Sequence, residues 1–393
     1  INGIVADPGD LYFVYYIDDV ITRDVPTKDS GFIFDTEKSK CTSDVTVSWN
    51  EESWKAIVDY STFKQNDTTR AKCTLYFKSK PIFDPVETTD FLKTLAVGAN
   101  SSSTDVYTIP DKVGDDCTYT LAYDGTVDNN LRYVGMDPCN YVTFNGEEAG
   151  WRIIGILNTP EGPRLKLVHR YGIGAYSYNN NPKGTGSAKT DYGSNDWTDS
   201  PLKDILNNGA YFNRTTGNCP TGSKGLTSSC DFNQNGLTES AKNKIDTITW
   251  KLGGSKSEKI SPSSFYEYER GTTVYSGRPT EWQGQVGLIY PSDFGFATSG
   301  GSTTDRTSCL NKNLSGWTSY SDCYENDWVY NGSSILFFTP SSSSSDIIYY
   351  FASNIYTSFA ASAVGRVRPS IYLMPSVLII GGEGTKKNPY VIK

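Results

Sequence analysis

The eight cysteines constrain this chain more than any other feature, because they come as four successive local pairs. None forms a C-x-x-C motif, so zinc ribbons and thioredoxin-like redox sites have no support. Cys41 and Cys73, Cys117 and Cys139, Cys219 and Cys230, and Cys309 and Cys323 each bracket a short loop bounded by turn residues. Local loops close at the lowest entropic cost, so disulfides are predicted in that order. Such staples, with only two Met and abundant Ser, Thr, Asn and Tyr, imply an oxidising compartment. The first residue is Ile rather than Met, and we expect that an upstream signal or anchor was removed. No apolar run of about 18 residues is present. The expectation is an extracellular, cell-surface-associated region with no direct membrane insertion.

Charge and the scarcity of histidine exclude further classes. Lys and Arg number 36 against 44 Asp and Glu, a formal charge of −8 that argues against nucleic acid or anionic lipid as partner. With one histidine, His169, a two-His-carboxylate iron site is impossible and a Ser-His-Asp triad could run only through that residue. It closes a predicted strand among basic and aromatic neighbours and reads as structural. Asp18-Asp19, Asp115-Asp116 and Glu147-Glu148 are adjacent pairs, which on a strand point to opposite faces rather than converging as an acid–base couple. Asp231-Phe-Asn-Gln-Asn-Gly236 copies the first half of an EF-hand loop, yet Lys242 stands where the bidentate Glu belongs. A polar turn leading into a helix explains that segment. We therefore expect no catalysis, no cofactor and no metal.

Three regions differ in texture. Residues 1–80 read as a small β-sandwich-like module, with strands at Leu11–Ile17, Val45–Trp49, Lys55–Tyr60 and Thr74–Lys78. Residues 81–116, opened by Pro81 and Pro85 and rich in small polar residues, read as a connector with a short helix over Thr88–Leu95. From Cys117 to Lys393 short apolar runs alternate with Gly/Asn/Ser turns. Trp151–Leu157 and Arg164–His169 predict a hairpin. Ser200-Pro201 predicts a helix over Pro201–Leu206. Leu237, Ala241, Ile245 and Ile248 predict a second, running from Thr238 to Gly253. Val286–Tyr290 and Val367–Leu373 are further strand candidates. A few short helices among irregular strands make this an α+β fold.

The segment Ser341–Val364 stands apart. It holds one charged residue, Asp346, yet carries Ile347, Ile348, Tyr349, Tyr350, Phe351, Ile355, Tyr356 and Phe359 among Ser, Ala, Thr, Asn and Val. Ile335-Leu-Phe-Phe338 extends the run. A pair of core strands is one account. The other starts from the consecutive large residues, where a one-sided strand would alternate. Tyr, Ser and Asn are the residues that binding loops use for rigid contact area and adaptable hydrogen bonding. On that account Phe337, Phe338, Ile347, Ile348, Tyr349, Tyr350, Phe351, Asn354, Ile355, Tyr356 and Phe359 are ligand-binding. Every residue from Ser341 to Val364 can also be reached from an Asn AAY codon by changing its first two bases. Adenine-targeted mutagenesis by a diversity-generating retroelement leaves that signature.

Several tracts carry a resemblance. Leu121–Gly135 (Leu-Ala-Tyr-Asp-Gly-Thr-Val-Asp-Asn-Asn-Leu-Arg-Tyr-Val-Gly), Asn140–Gly146, Trp151–Gly155 and Tyr192–Trp197 resemble a large group of uncharacterised exported proteins of gut-dwelling Firmicutes. Tyr290–Gly301, Asn326-Asp-Trp328, Val367–Leu373 and Gly381–Tyr390 continue the likeness. The front tracts Pro26–Gly31 and Lys72–Phe77 look like a small module found on similar surface proteins. The last third, closed by Gly365-Arg-Val-Arg-Pro369, is similar to the C-type-lectin-like fold of retroelement variable proteins, which formylglycine-generating enzymes share. The reactive cysteine pair of those enzymes has no clear counterpart here. The resemblance implies an exported, surface-displayed binding protein of adhesin or receptor type, with an unknown protein or glycan ligand. The alternative is a subunit of a cell-surface filament or layer that self-associates through the same segment.

Overall fold

A computed structural model describes residues 12–17, 20–22, 25–28, 32–42, 45–50, 52–59, 72–79, 85–110, 112, 116–181, 192–330, 335–351 and 355–393. It resolves the chain into two units, Ile1–Asp84 and Pro85–Lys393. In the front unit Lys72–Ser79 is the hub strand. It pairs in parallel with Tyr12–Ile17 and antiparallel with Phe32–Phe34 and Lys40–Cys41. The hairpin Thr46–Asn50 with Lys55–Asp59 lies outside that sheet. Its Trp49 stacks on Phe34 at 5.4 Å and meets Phe77 edge-on at 5.1 Å, so one aromatic cluster joins hairpin and sheet. Cys41 and Cys73 are cross-strand partners and are disulfide-bonded, stapling a core too small to be generous.

The large unit is organised by a hairpin of two long strands, Glu147–Thr159 and Gly162–His169, joined through the two-residue turn Pro160-Glu161, after which Gly162 opens the second strand with φ +102°. They sit in an 11-stranded mixed sheet. On one side follow Pro369–Tyr372 and Val286–Leu288; on the other follow Tyr141–Phe144, Tyr390–Ile392, Leu378–Gly381 and Val86–Glu87. Leu131–Tyr133 also pairs with Glu147–Thr159, and it can approach because residue 155 is Gly: a Cβ there would lie 2.4 Å from the Leu131 carbonyl. A second, five-stranded sheet runs in the order Gly174–Ser177, Val364–Val367, Ile335–Pro340, Ile347–Phe351, Ile355–Ala360. Mixed sheets with short helices confirm an α+β architecture.

The remaining three disulfides pair as expected: Cys117–Cys139, Cys219–Cys230 and Cys309–Cys323. Among the described residues no helix is long and apolar enough to cross a membrane.

Two expectations fail. Residues 85–116 are not a connector: Val86–Glu87 and Tyr107–Thr108 are strands of the large sheet, and Phe91 and Leu92 of the helix Phe91–Leu95 are fully buried. Arg306 also donates to the Thr104 carbonyl at 2.6 Å. The helix after Thr238 stops at Lys242, and Ile248–Lys251 is instead a strand paired with Glu281–Gly284. The run Ile245-Asp-Thr-Ile-Thr-Trp250 is β-branched and aromatic, and that outweighs its helical spacing. Conversely, the helix Pro262–Arg270 was not foreseen, although Ser261-Pro262 repeats the signal of Ser200-Pro201. Both serine hydroxyls accept an amide three residues on, as N-caps do.

Candidate functional site

Among the described residues, the Tyr- and Phe-rich segment from Ile335 to Phe351 lies mostly inside. Ile335–Pro340 is the middle strand of the five-stranded sheet and is buried along its whole length. Phe338 packs at 4.8 Å on Trp197 and 5.3 Å on Trp250. Phe337 turns to the other face, towards Phe294, which also meets Phe351 at 4.7 Å. Tyr349 meets Phe265 of the helix Pro262–Arg270 at 5.0 Å. Both faces are therefore covered, which explains why large residues stand consecutively.

Of the eleven residues expected to bind ligand, Phe337, Phe338, Ile348, Tyr349 and Phe351 are core residues. Ile347 and Tyr350 are half-buried. Ile355, Tyr356 and Phe359 belong to Ile355–Ala360, the outermost strand of the sheet, and Asn354 lies outside the described residues. In the turn that joins Ile335–Pro340 to Ile347–Phe351, Ser343 is exposed and Ser344 half-buried. Ser341, Ser342, Ser345 and Asp346 are buried because the turn's backbone is gripped from two sides. The Asn195 amide donates to the carbonyls of Ser341 and Ser344 at 2.8 and 2.7 Å, and Arg278 donates to that of Ser345 at 3.0 Å.

The deepest polar assembly of the large unit was not foreseen. Arg132, on Leu131–Tyr133, donates through Nε to Asp124 at 2.9 Å and through Nη1 to Asp293 Oδ1 at 2.9 Å. Lys166 Nζ, from Gly162–His169, lies 2.5 Å from Asp293 Oδ2, and both side chains are wholly buried. Rings of Tyr290, Tyr372 and Trp250 stand 4.6, 5.2 and 5.5 Å from that ammonium. Asp293 also accepts the Tyr290 amide at the start of the helix Pro291–Gly295, as a carboxylate at the third helical position does. Burial acts against its charge, but Lys166 and Arg132 prevail and hold the carboxyl down at about 2. Desolvation brings Lys166 down to about 8.

Glu269 completes the group. It takes the Ser292 amide at 3.0 Å and the Ser292 hydroxyl, and burial pushes it up to about 7 despite the neighbouring Arg270. Tyr266 and Arg270 link the cluster to a cleft of about 320 Å³ whose lining includes the nearly fully exposed Val127. The Arg270 guanidinium lies 3.3 Å from the centre of the Tyr266 ring.

The chain matches no protein-family model, no curated protein and no solved structure. Leu121–Gly135 supplies Asp124, Asn130 and Arg132 to the cluster, and Tyr290–Gly301 supplies Asp293. The available signal was a charge inside an apolar run, as in Leu131-Arg-Tyr-Val134, Leu165-Lys-Leu-Val168 and Pro291-Ser-Asp-Phe294.

His169 bonds Glu147 through Nε2 at 2.8 Å and accepts the Gly172 amide on Nδ1 at 3.0 Å, both structural contacts. Asp18, Asp19 and Asp115 lie outside the described residues. In the EF-hand-like turn Asp231 accepts the Asn233 amide, while Arg214 donates to the carbonyls of Asn233 and Gln234 at 2.8 and 2.9 Å. The guanidinium thus holds two consecutive carbonyls of that turn.

Proposed function

We propose that the chain is an exported cell-surface binding protein, of adhesin or receptor type, which engages its ligand at the outer edge of the five-stranded sheet. The contact surface is the strand Ile355–Ala360, flanked by its half-buried pairing partners Ile347 and Tyr350. The observation that carries this reading is topological. Among the described residues Ile355–Ala360 pairs with Ile347–Phe351 and with no other strand. A sheet edge offers unpaired amides and carbonyls to an incoming chain. Ile-Tyr-Thr-Ser-Phe-Ala contains none of the charges or prolines that usually block such pairing.

The large unit is read as C-type-lectin-like, with its α+β mixture of sheets and short helices in support, and its location as the cell surface, with the four disulfides in support. Catalysis of the formylglycine-generating kind needs free thiols, whereas all eight cysteines are bonded. The same edge favours the second reading, self-assembly into a filament or layer, because two copies can pair there.

Sequencing the gene and its flanking DNA from several isolates of one population tests the diversification that would make this edge a receptor surface. Differences at adenine-templated positions within 335–364, with a near-copy beside a reverse transcriptase, support it. An invariant segment with changes elsewhere removes it. Ser358→Pro, tolerable on an edge strand, should leave the melting temperature nearly unchanged. It should also abolish the micromolar self-association by which sedimentation would identify the filament reading.

A further inference from the structure

We propose that Lys166 and Asp293 condense into a side-chain amide, a covalent cross-link between the strand Gly162–His169 and the helix Pro291–Gly295. Lys166 Nζ lies 2.5 Å from Asp293 Oδ2, an oxygen bonded to the carbon it must attack, and neither side chain has any exposed surface. Among the described residues the ammonium has one hydrogen-bond acceptor, Asp293, and three aromatic rings otherwise. Water, which would reverse the reaction, is kept away. Proximity of this kind replaces chemical activation, since well-oriented groups reach effective molarities of about 10⁵ M or more.

The step balances without a co-reactant. One proton passes from Nζ to Oδ2 along their hydrogen bond, an uphill transfer whose cost is reduced by the removal of two buried charges and by the lowered affinity of Lys166 for its proton. The neutral amine then attacks Cγ. Arg132, 2.9 Å from Oδ1, faces the negative charge that develops on that oxygen. A second proton leaves Nζ, the Cγ–Oδ2 bond breaks, and Oδ2 departs as water with both protons. An ammonium and a carboxylate become an amide and one water. Glu269, beside Ser292, contributes a second buried carboxyl able to carry a proton at neutral pH. Arg132 and the Tyr290 amide also stabilise the Asp293 carboxylate, which makes condensation a slow maturation step after folding rather than part of folding itself.

Intact mass spectrometry of the folded, oxidised full chain after prolonged incubation at neutral pH tests this. The expected mass is one water below that of the sequence with four disulfides. In a tryptic digest, cleavage after Lys166 is lost and the peptides containing Lys166 and Asp293 are joined. Lys166→Arg, which keeps a buried cation but forms no such amide, restores the full mass; so does Asp293→Ala. Should either variant fail to fold, the digest of the unaltered protein decides alone. Full mass with normal cleavage after Lys166 overturns the proposal and leaves a buried ion pair. Loss of water without joined peptides, as in succinimide formation at Asp124-Gly125, overturns it equally.

Discussion

The run Ile335–Phe351 and the cluster around Asp293 reverse the simplest expectation about what lies inside a protein. The first is mostly uncharged, Ser-rich and aromatic, with the texture of a contact loop, yet its middle strand is buried on both faces. The second consists of Asp, Arg, Lys and Glu, residues normally left in water, yet Arg132, Lys166, Glu269 and Asp293 are among the least exposed of all. Burial is decided by whether partners wait at the other end. Backbone carbonyls of the serine turn find Asn195 and Arg278; each carboxylate in the cluster finds a cation or an amide. The two regions also meet, since Phe294, next to Asp293, packs on Phe351 and Phe337.

The comparison breaks most readily at Asp293. Asp293→Ala leaves Lys166 and Arg132 buried with one carboxylate fewer, and should cost stability at the upper end of about 3–5 kcal/mol in denaturant unfolding. A loss below about 1 kcal/mol would mean that water reaches the cluster. Phe338→Ala should cost about 3–4 kcal/mol, because the ring fills a pocket between Trp197 and Trp250. If it unfolds no earlier than the parent protein, the strand is not core and the surface reading regains those residues.

Glu269 sharpens the contrast through pH. Its proton affinity is raised from 4.5 unfolded to about 7 folded, so the folded state holds the extra proton between those values. Its contribution is complete below pH 4.5 and is lost as pH rises through about 7. Glu269→Gln should flatten the fall in stability between those limits, measured as unfolding midpoints across the range. An unchanged slope assigns the fall to other groups. The smallest effect belongs to Tyr350→Ser, half-buried beside the edge strand, which should cost no more than about 1 kcal/mol. By the same logic, any natural variation within 335–364 should spare Phe337, Phe338, Ile348, Tyr349 and Phe351 and collect at Ile347, Tyr350 and beyond.

Much of this was legible from residues alone. Disulfide order followed from loop economy, the long hairpin from two apolar runs on either side of Asn158–Pro163, and the helix at Pro201 from its Ser-Pro start. Tracts with two competing local signals misled. Leu237, Ala241, Ile245 and Ile248 have helical spacing, but Ile248 and Thr249 belong to a strand whose partner, Glu281–Gly284, lies some thirty residues on. The ionic cluster was illegible for a related reason. Asp124, Lys166 and Asp293 are far apart in sequence, and only the approach permitted by Gly155 and the packing of Pro291–Gly295 brings them together. Asn195-Asp-Trp197 and Asn326-Asp-Trp328 make the same point, since identical words do different work. The first holds the serine turn, whereas Trp328 of the second donates to the Tyr133 carbonyl at 2.9 Å.

The turn at Asp231–Gly236 has a practical consequence. Two of its consecutive carbonyls are held by the tip of Arg214, which is tethered to the chain and therefore immune to chelators, dilution or competing ions. That part of the corner's shape is fixed by a group the chain carries with it.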